Sequence, residues 1–320
     1  MKTGLICVLV SAWPAAAADH RIVAERYWHT FSAAHPVLLR VQSGARIATT
    51  TVDSAGFDWK GVRRTQTHGN PLTGPFYIEG AQPGDALEVH IARLSLNRPT
   101  GYSAHQVGIP DTPKLEKPGA DAVYKGYDNL LPWTLDLKRG TVRTGRLEFA
   151  AQPMLGCIGV APEGDYSPRS GPAGYWGGNL DYNLIREGAT VLLPVFHPGG
   201  LLFFGDGHAL QGDGEAVGSG VETSLDVEVI VRLRKKHELT APRVETAEWI
   251  VAVGAKEGAA ARETMAMATR DMLRWLVTEH GFSAQEAHLL IGMRARYDLI
   301  TLGGTVGLRI PREDVRRNRN

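Results

Sequence analysis

Along most of the chain, apolar residues come in short runs or at alternate positions rather than at helical spacing. Residues 86–94 alternate, and residues 221–229 set Val221, Thr223, Leu225, Val227 and Val229 against Glu222, Ser224, Asp226 and Glu228, the two-residue period of a half-covered strand. Residues 189–196 read as a buried strand, and Leu201, Leu202, Phe203 and Phe204 form a run that needs a buried place. Thr49, Thr50, Thr51 and Val52 are β-branched and favour strand. Pro71, Gly74, Pro75, Gly80, Pro83 and Gly84 cut residues 65–96 into turns between short strands. Residues 131–149 are strand-like, with a turn at 138–140.

Helical signals come late. Residues 259–279 carry Met265, Met272, Leu273, Leu276 and Val277 among strong helix formers and stop at His280 and Gly281. Ser283 with Glu286 three residues later is a capping box opening a second helix, from 285 to about 294. Residues 246–254 and 299–310 read as strands. The pattern predicts a mainly β (α+β) protein: a β-rich body over 19–242, an α/β section over 243–310 packed on it, and a basic tail, 311–320, that frays. Residues 97–128, rich in Pro, Gly, Tyr and Lys, read as an excursion over the body.

The first residues stand apart. Met1 and Lys2 precede an apolar run over 5–10, and Ala15 to Ala18 lead to Asp19, the pattern of a secretory signal peptide over 1–18. Export to the periplasm or the exterior is the expectation. The apolar run is well short of the ~20 residues that span a bilayer, and no second stretch is long enough, so no membrane span is expected. Lys and Arg number 35 against 34 Asp and Glu, which leaves no electrostatic footprint for nucleic acid. Cys7 falls in the signal and leaves Cys157 alone, so no intramolecular disulfide supports the mature chain. Exposed strand edges make a homo-oligomer an expectation.

Candidate chemistry gathers at residues 201–222, where the apolar run enters a glycine-punctuated segment carrying Asp206, His208, Gln211, Asp213, Glu215 and Glu222. Carboxylates and an imidazole at the end of a core strand point to a divalent-metal or acid/base site. Glu222 is the member of its strand nearest the glycine loop. Two further loops carry suitable groups. His68 and Asn70 share a side of extended chain as metal ligand or substrate clamp, and Asn179, Asp181 and Asn183 alternate after a glycine-rich turn. Glu79 is placed to reach the same pocket.

THGNPLTGPFYIEGAQPGDALEV (67–89), GCIGVAPEG (156–164), GGNLDYNLI (177–185) and LLPVFHPGGLLFFGDGHALQGDGE (192–215) occur in an order that resembles the acetamidase/formamidase family. The resemblance runs over about 37–229 and is strongest in GDGHALQGDGE. It implies two interlocked barrel-like β halves with a late helical section, and hydrolysis of short linear amides to a carboxylate and ammonia. It further implies a divalent metal, zinc first with calcium or manganese as alternatives, held by His68, Asp181, Asp206 and His208. Glu222 or Glu215 would then act as general base, with Asn179 and Asn70 on the substrate amide. Two other readings stay open: an exported binding protein holding a structural ion, and a thiol amidase using Cys157.

Overall fold

The computed structural model describes residues 19–119, 123–124 and 128–317. The signal-like residues 1–18 lie outside the described residues, as do six residues of the excursion and the last three of the tail.

Three sheets make up the described chain. The largest runs His20–Arg21, Arg46–Thr50, Leu225–Arg234, Ala86–Leu96, Thr190–Pro194, Arg243–Glu245, Trp249–Gly254, Val306–Pro311 and Arg296–Leu299. A six-stranded sheet runs Ala173–Gly174, Gly177–Asn179, Met154–Val160, Leu202–His208, Leu72–Ile78 and Leu39–Val41. A small meander pairs Thr100–Ser103, Leu131–Asp136, Thr141–Thr144 and Leu147–Ala150. This is the mainly β architecture with late helices that the residue pattern predicts.

The two larger sheets share one apolar core, in which Ile47, Val89, Val191 and Val229 meet Leu72, Ile158, Phe203 and Phe204. Phe76 stacks on Phe204 with ring centroids 5.2 Å apart. Strands Met154–Val160 and Leu202–His208 are buried at every position, which is why neither alternates in sequence. Strand Leu225–Arg234 is covered on one face, and Asp226 points outward.

The late section is continuous with the large sheet, because Thr190–Pro194 pairs with Arg243–Glu245 across residue 242. Helix Ala261–Thr278 seats Met272, Trp275 and Leu276 on Ile250, Leu308 and Ile310. The buried Arg243 guanidinium donates to both carboxylate oxygens of Asp271 (2.7 and 3.0 Å) and stacks on Trp275. Helix Ala284–Arg294 opens on the Ser283/Glu286 capping box. The tail differs from expectation. Arg312–Arg317 is helical and is tied down by Arg312 on Glu245 and Arg294 on Asp314, charge pairs whose partners are far away in sequence.

Candidate metal centre and amide pocket

Strand Leu202–His208 carries the centre of the site. The sequence pattern ends this strand at Phe204, yet it continues through Gly205, Asp206 and Gly207 to His208. These glycines serve close packing instead of a loop. A Cβ on Gly205 would fall 2.5 Å from the Pro71 carbonyl oxygen, and one on Gly207 would fall 2.7 Å from Leu225 Cγ. Strand pairing then brings Glu222 to His208. Ala209 N–H donates to Val221 O (2.7 Å) and Thr223 N–H to Gly207 O (2.9 Å), so His208 and Glu222 form a non-hydrogen-bonded antiparallel pair, the geometry with the closest side chains. On its other edge Glu222 exchanges backbone hydrogen bonds with Tyr102.

Asp181 arrives from the neighbouring strand, its N–H donating to Gly156 O at 3.1 Å. Gly156 lies between register positions facing Gly205 and Gly207, and a Cβ there would sit 2.6 Å from both Asp181 Oδ1 and Asp206 Oδ2. Only a glycine lets these two carboxylates approach. Glu215 enters from the turn after His208. Asn70, Asp181, Asp206 and Glu215 all hold positive φ, between 45° and 56°, a conformation that costs non-glycine residues energy and concentrates at functional sites.

Ligand-capable atoms of Asp181, Asp206 and His208 lie within 4.8 Å of one another, as do those of His208, Glu215 and Glu222. His208 Nε2 stands 3.0 Å from Glu222 Oε1 and 3.7 Å from Asp206 Oδ1, without hydrogen-bond alignment to either. Asp181 Oδ1, Asp206 Oδ1 and Glu222 Oε2 are likewise buried and hydrogen-bonded to nothing in the protein. A cavity of about 440 Å³ opens beside Asp206, Glu215 and Glu222, and its described walls contain no Lys or Arg. Several buried carboxylates with a single imidazole and no Lys or Arg in that cavity wall suit a bound cation. One imidazole nitrogen with several carboxylate oxygens is a donor set that suits a divalent ion.

The electrostatics agree. Burial raises both Glu222 and Glu215 to about 7, the nearby His208 working against the rise and Asp206 adding to it. Burial also lifts Asp181 well above the usual carboxylate range, with Glu215 and Asp206 reinforcing it. Burial disfavours charge on His208, but Glu222 and Asp206 outweigh it and push the imidazole well above its ordinary value.

The amide-bearing residues form a second layer. Asn179 Oδ1 accepts from Asn70 Nδ2 (3.0 Å) and from the Cys157 thiol (2.8 Å), while its Nδ2 donates to Asp181 Oδ2. Cys157 and Asn179 are register partners on adjacent strands. A thiol that must donate to a carbonyl oxygen keeps its proton. Burial, with Asp206 and Asp181 nearby, pushes Cys157 well above its usual value, the reverse of what an attacking thiolate needs.

Some sequence-chosen residues stand apart from the cluster. His68 is exposed and lines the cavity mouth beside Gly69. Asp213 accepts from Asn183 (2.7 Å), and Glu79 pairs with Arg40 at 3.4 Å. Gln211, one of the polar residues of the glycine-punctuated segment, belongs to the site, and so does Tyr102, which carries no sequence signal. Tyr102 Oη bonds Ser54 Oγ (2.8 Å) and accepts from Ala55 N–H (3.0 Å). That loop is braced by the buried Arg98–Asp53 pair at 2.5 Å.

Among solved structures, the chain is similar to a predicted acetamidase/formamidase from Thermoanaerobacter tengcongensis, with TM-score 0.79 and 28% identity over 93% of this chain and 97% of that one. An acetamidase from Bacillus halodurans is similar at 0.78 and 25% identity, over 93% of this chain and 99% of that one. A model of the acetamidase/formamidase family matches residues 161–302. The chain is similar to the acetamidase/formamidase family over this stretch. It is 30% identical to a putative formamidase of Schizosaccharomyces pombe over 211 residues, 51% of this chain and 50% of that protein. The match thus spans about half the length of that relative. It is 26% identical to an acetamidase of Mycolicibacterium smegmatis over 298 residues, 69% of this chain and 72% of that protein. The family match covers Asp181, Asp206, His208, Glu215 and Glu222, the five residues of the two overlapping ligand-capable groups.

Proposed function

We propose that this protein is an amidohydrolase that splits the carbon–nitrogen bond of small linear amides to give a carboxylate and ammonia. The carrying observation is the convergence of Asp181, Asp206, His208, Glu215 and Glu222 around one buried point beside a cavity, in a chain whose relatives are named for amide hydrolysis. Asp181, Asp206 and His208 would hold a divalent cation, zinc before manganese because of the imidazole donor, and His68 at the cavity mouth is placed to meet the substrate. Such an ion supplies Lewis acidity toward a carbonyl and acidifies a water molecule.

The protein's own groups have distinct tasks. Glu222, poised near neutrality, accepts a proton from the attacking water and returns one to the departing nitrogen, which needs a group that exchanges protons at working pH. Glu215, at a similar value, is the alternate base. Asn70 and Asn179 each commit one amide hydrogen to the network, which leaves each a second hydrogen for the substrate carbonyl. A further cavity of about 500 Å³ reaches Asn179, Asp181 and Glu215 from the side of residues 301–305, room that supports amides longer than acetamide as substrates. The N-terminal pattern over 1–18 supports export, to be checked by the mature N-terminus of the secreted protein.

Ammonia release from formamide, acetamide, propionamide and butyramide, before and after chelation and zinc return, tests the activity. Turnover restored by the ion is expected. Glu222→Gln should lower kcat by about 10²–10⁴-fold while metal content persists. No ammonia from any amide with an ion bound would sink the reading.

A further inference from the structure

Gln211 contacts two of the residues that would hold the cation, His208 at the end of strand Leu202–His208 and Asp181 in the segment after strand Gly177–Asn179. Its Nε2 lies 2.6 Å from the main-chain oxygen of Asp181, and its Oε1 lies 2.7 Å from His208 Nδ1. A carbonyl oxygen only accepts, so the Gln211 NH₂ must face Asp181. Its carbonyl end therefore faces the imidazole, and because that oxygen also only accepts, His208 Nδ1 must carry a proton. Of the two ring nitrogens only Nε2 is left for the site, where it stands among the carboxylates of Glu222 and Asp206. Gln211 is 9% exposed and His208 1% exposed, so water does not compete freely for these bonds.

The opposite side of the ring is closed as well. A Cβ on Gly220 would fall 2.5 Å from both Cγ and Nδ1 of His208, so the backbone at 220 lies directly against the imidazole. Between Gly220 and Gln211 the ring has one orientation. The same carboxamide holds the carbonyl of Asp181, whose φ of 49° needs external support.

We propose that Gln211 is the positioning residue of the metal centre: one side chain that fixes the protonation form and ring direction of His208 and at the same time holds the Asp181 backbone in its left-handed conformation. This rests on the reading of the cluster as a cation site, and it does not depend on which amide is cleaved. Groups that bond the outer nitrogen of a ligating histidine orient it and raise its basicity, and their loss typically weakens metal binding about 10–100-fold.

The test is affinity for Zn²⁺ alone, measured by competition with a chromophoric chelator on the full chain. Gln211→Met, close in length but without donor or acceptor, should bind Zn²⁺ about 10–100-fold more weakly. Gln211→Glu keeps an acceptor for Nδ1–H and should lose less than the methionine variant. Wild-type affinity in Gln211→Met, or equal losses in both variants, overturns the proposal. A readout on the wild-type protein covers the case in which a variant misfolds. In ¹⁵N-histidine protein loaded with ¹¹³Cd²⁺, His208 should show cadmium coupling at Nε2 and a proton on Nδ1, whereas coupling at Nδ1 overturns the assignment. If the wild-type chain binds none of Zn²⁺, Mn²⁺ or Cd²⁺, the cation reading fails along with it. Retained ion binding without amide turnover removes only the amidase reading.

Discussion

The Leu302 N–H donates to the carbonyl oxygen of Gly214 at 2.8 Å, and the Gly214 N–H donates back to Leu299 O at the same distance. This exchange ties the hairpin of the late section to the turn that delivers Glu215 to the carboxylate–imidazole cluster. Tyr182 strengthens the tie, its buried hydroxyl donating to Asp298 at 2.6 Å. The C-terminal α/β section is thus part of the site's frame.

Leu302→Pro deletes that donor without touching a metal-capable residue. The expected outcome is a drop in kcat of about tenfold, the effect of misplacing one group by a fraction of an ångström, with a melting temperature lowered by only a few degrees. Kinetics unchanged within error would show that the turn holds Glu215 without the strap.

Glu215 sits at φ 45°, where a Cβ is disfavoured by roughly 1–2 kcal/mol. Glu215→Gly and Glu215→Ala remove the same carboxylate, so their difference isolates the backbone. The glycine variant should be more stable than the alanine variant by about 1 kcal/mol in urea titrations. Equal midpoints would mean that the turn relaxes once the carboxylate is gone.

Stability of the chelated protein should fall as pH rises. Glu215 and Glu222 move from an ordinary 4.5 to about 7 on folding, so between those values the folded state binds more protons than the unfolded one and loses stability with increasing pH. His208 adds in the same direction: its folded value is raised, so its contribution is present at low pH and is lost as pH climbs through that value. On the acid side the sign reverses. At Asp58 and Asp85 burial alone would raise the pKa, but hydrogen bonds from Val62 and Arg64 and from Lys235 and Lys236 outweigh it. Their stabilising contribution is lost as pH falls below about 4. Melting temperature of the chelated chain should therefore peak near pH 5 and decline toward pH 8, with Zn²⁺ abolishing the decline because the ion binds the deprotonated carboxylates. A flat profile from pH 5 to 8 would contradict the burial of these acids.

Gly156→Ala inserts a methyl group 2.6 Å from two carboxylate oxygens, closer than van der Waals contact allows. Zn²⁺ affinity should fall at least about tenfold, since the ligands lose their alignment, while circular dichroism stays that of the wild type. Undiminished Zn²⁺ binding would mean that Asp181 and Asp206 do not act together.

Much of this protein is legible along the chain. The capping box at Ser283 and Glu286 starts a helix where the fold has it, while the alternation at 221–229 and the β-branched stretch at 49–52 overlap the strands Leu225–Arg234 and Arg46–Thr50 only in part, because such signals depend on neighbours a few residues away and leave boundaries open. Chemistry is legible too: the GDGHALQGDGE segment names Asp206, His208 and Glu215 as a group. What the sequence could not decide is which distant groups meet them. Pairing of 207–209 with 221–223 sets Glu222 beside His208, and the glycine at 156 admits Asp181 beside Asp206. His68, two positions from Asn70, stays at the mouth because it sits in an exposed loop, while Asn70 turns inward at positive φ to reach Asn179. Local pattern fixes which residues can serve. The approach of segments that no local pattern pairs, through close backbone contacts that carry no hydrophobic signal, decides which of them do.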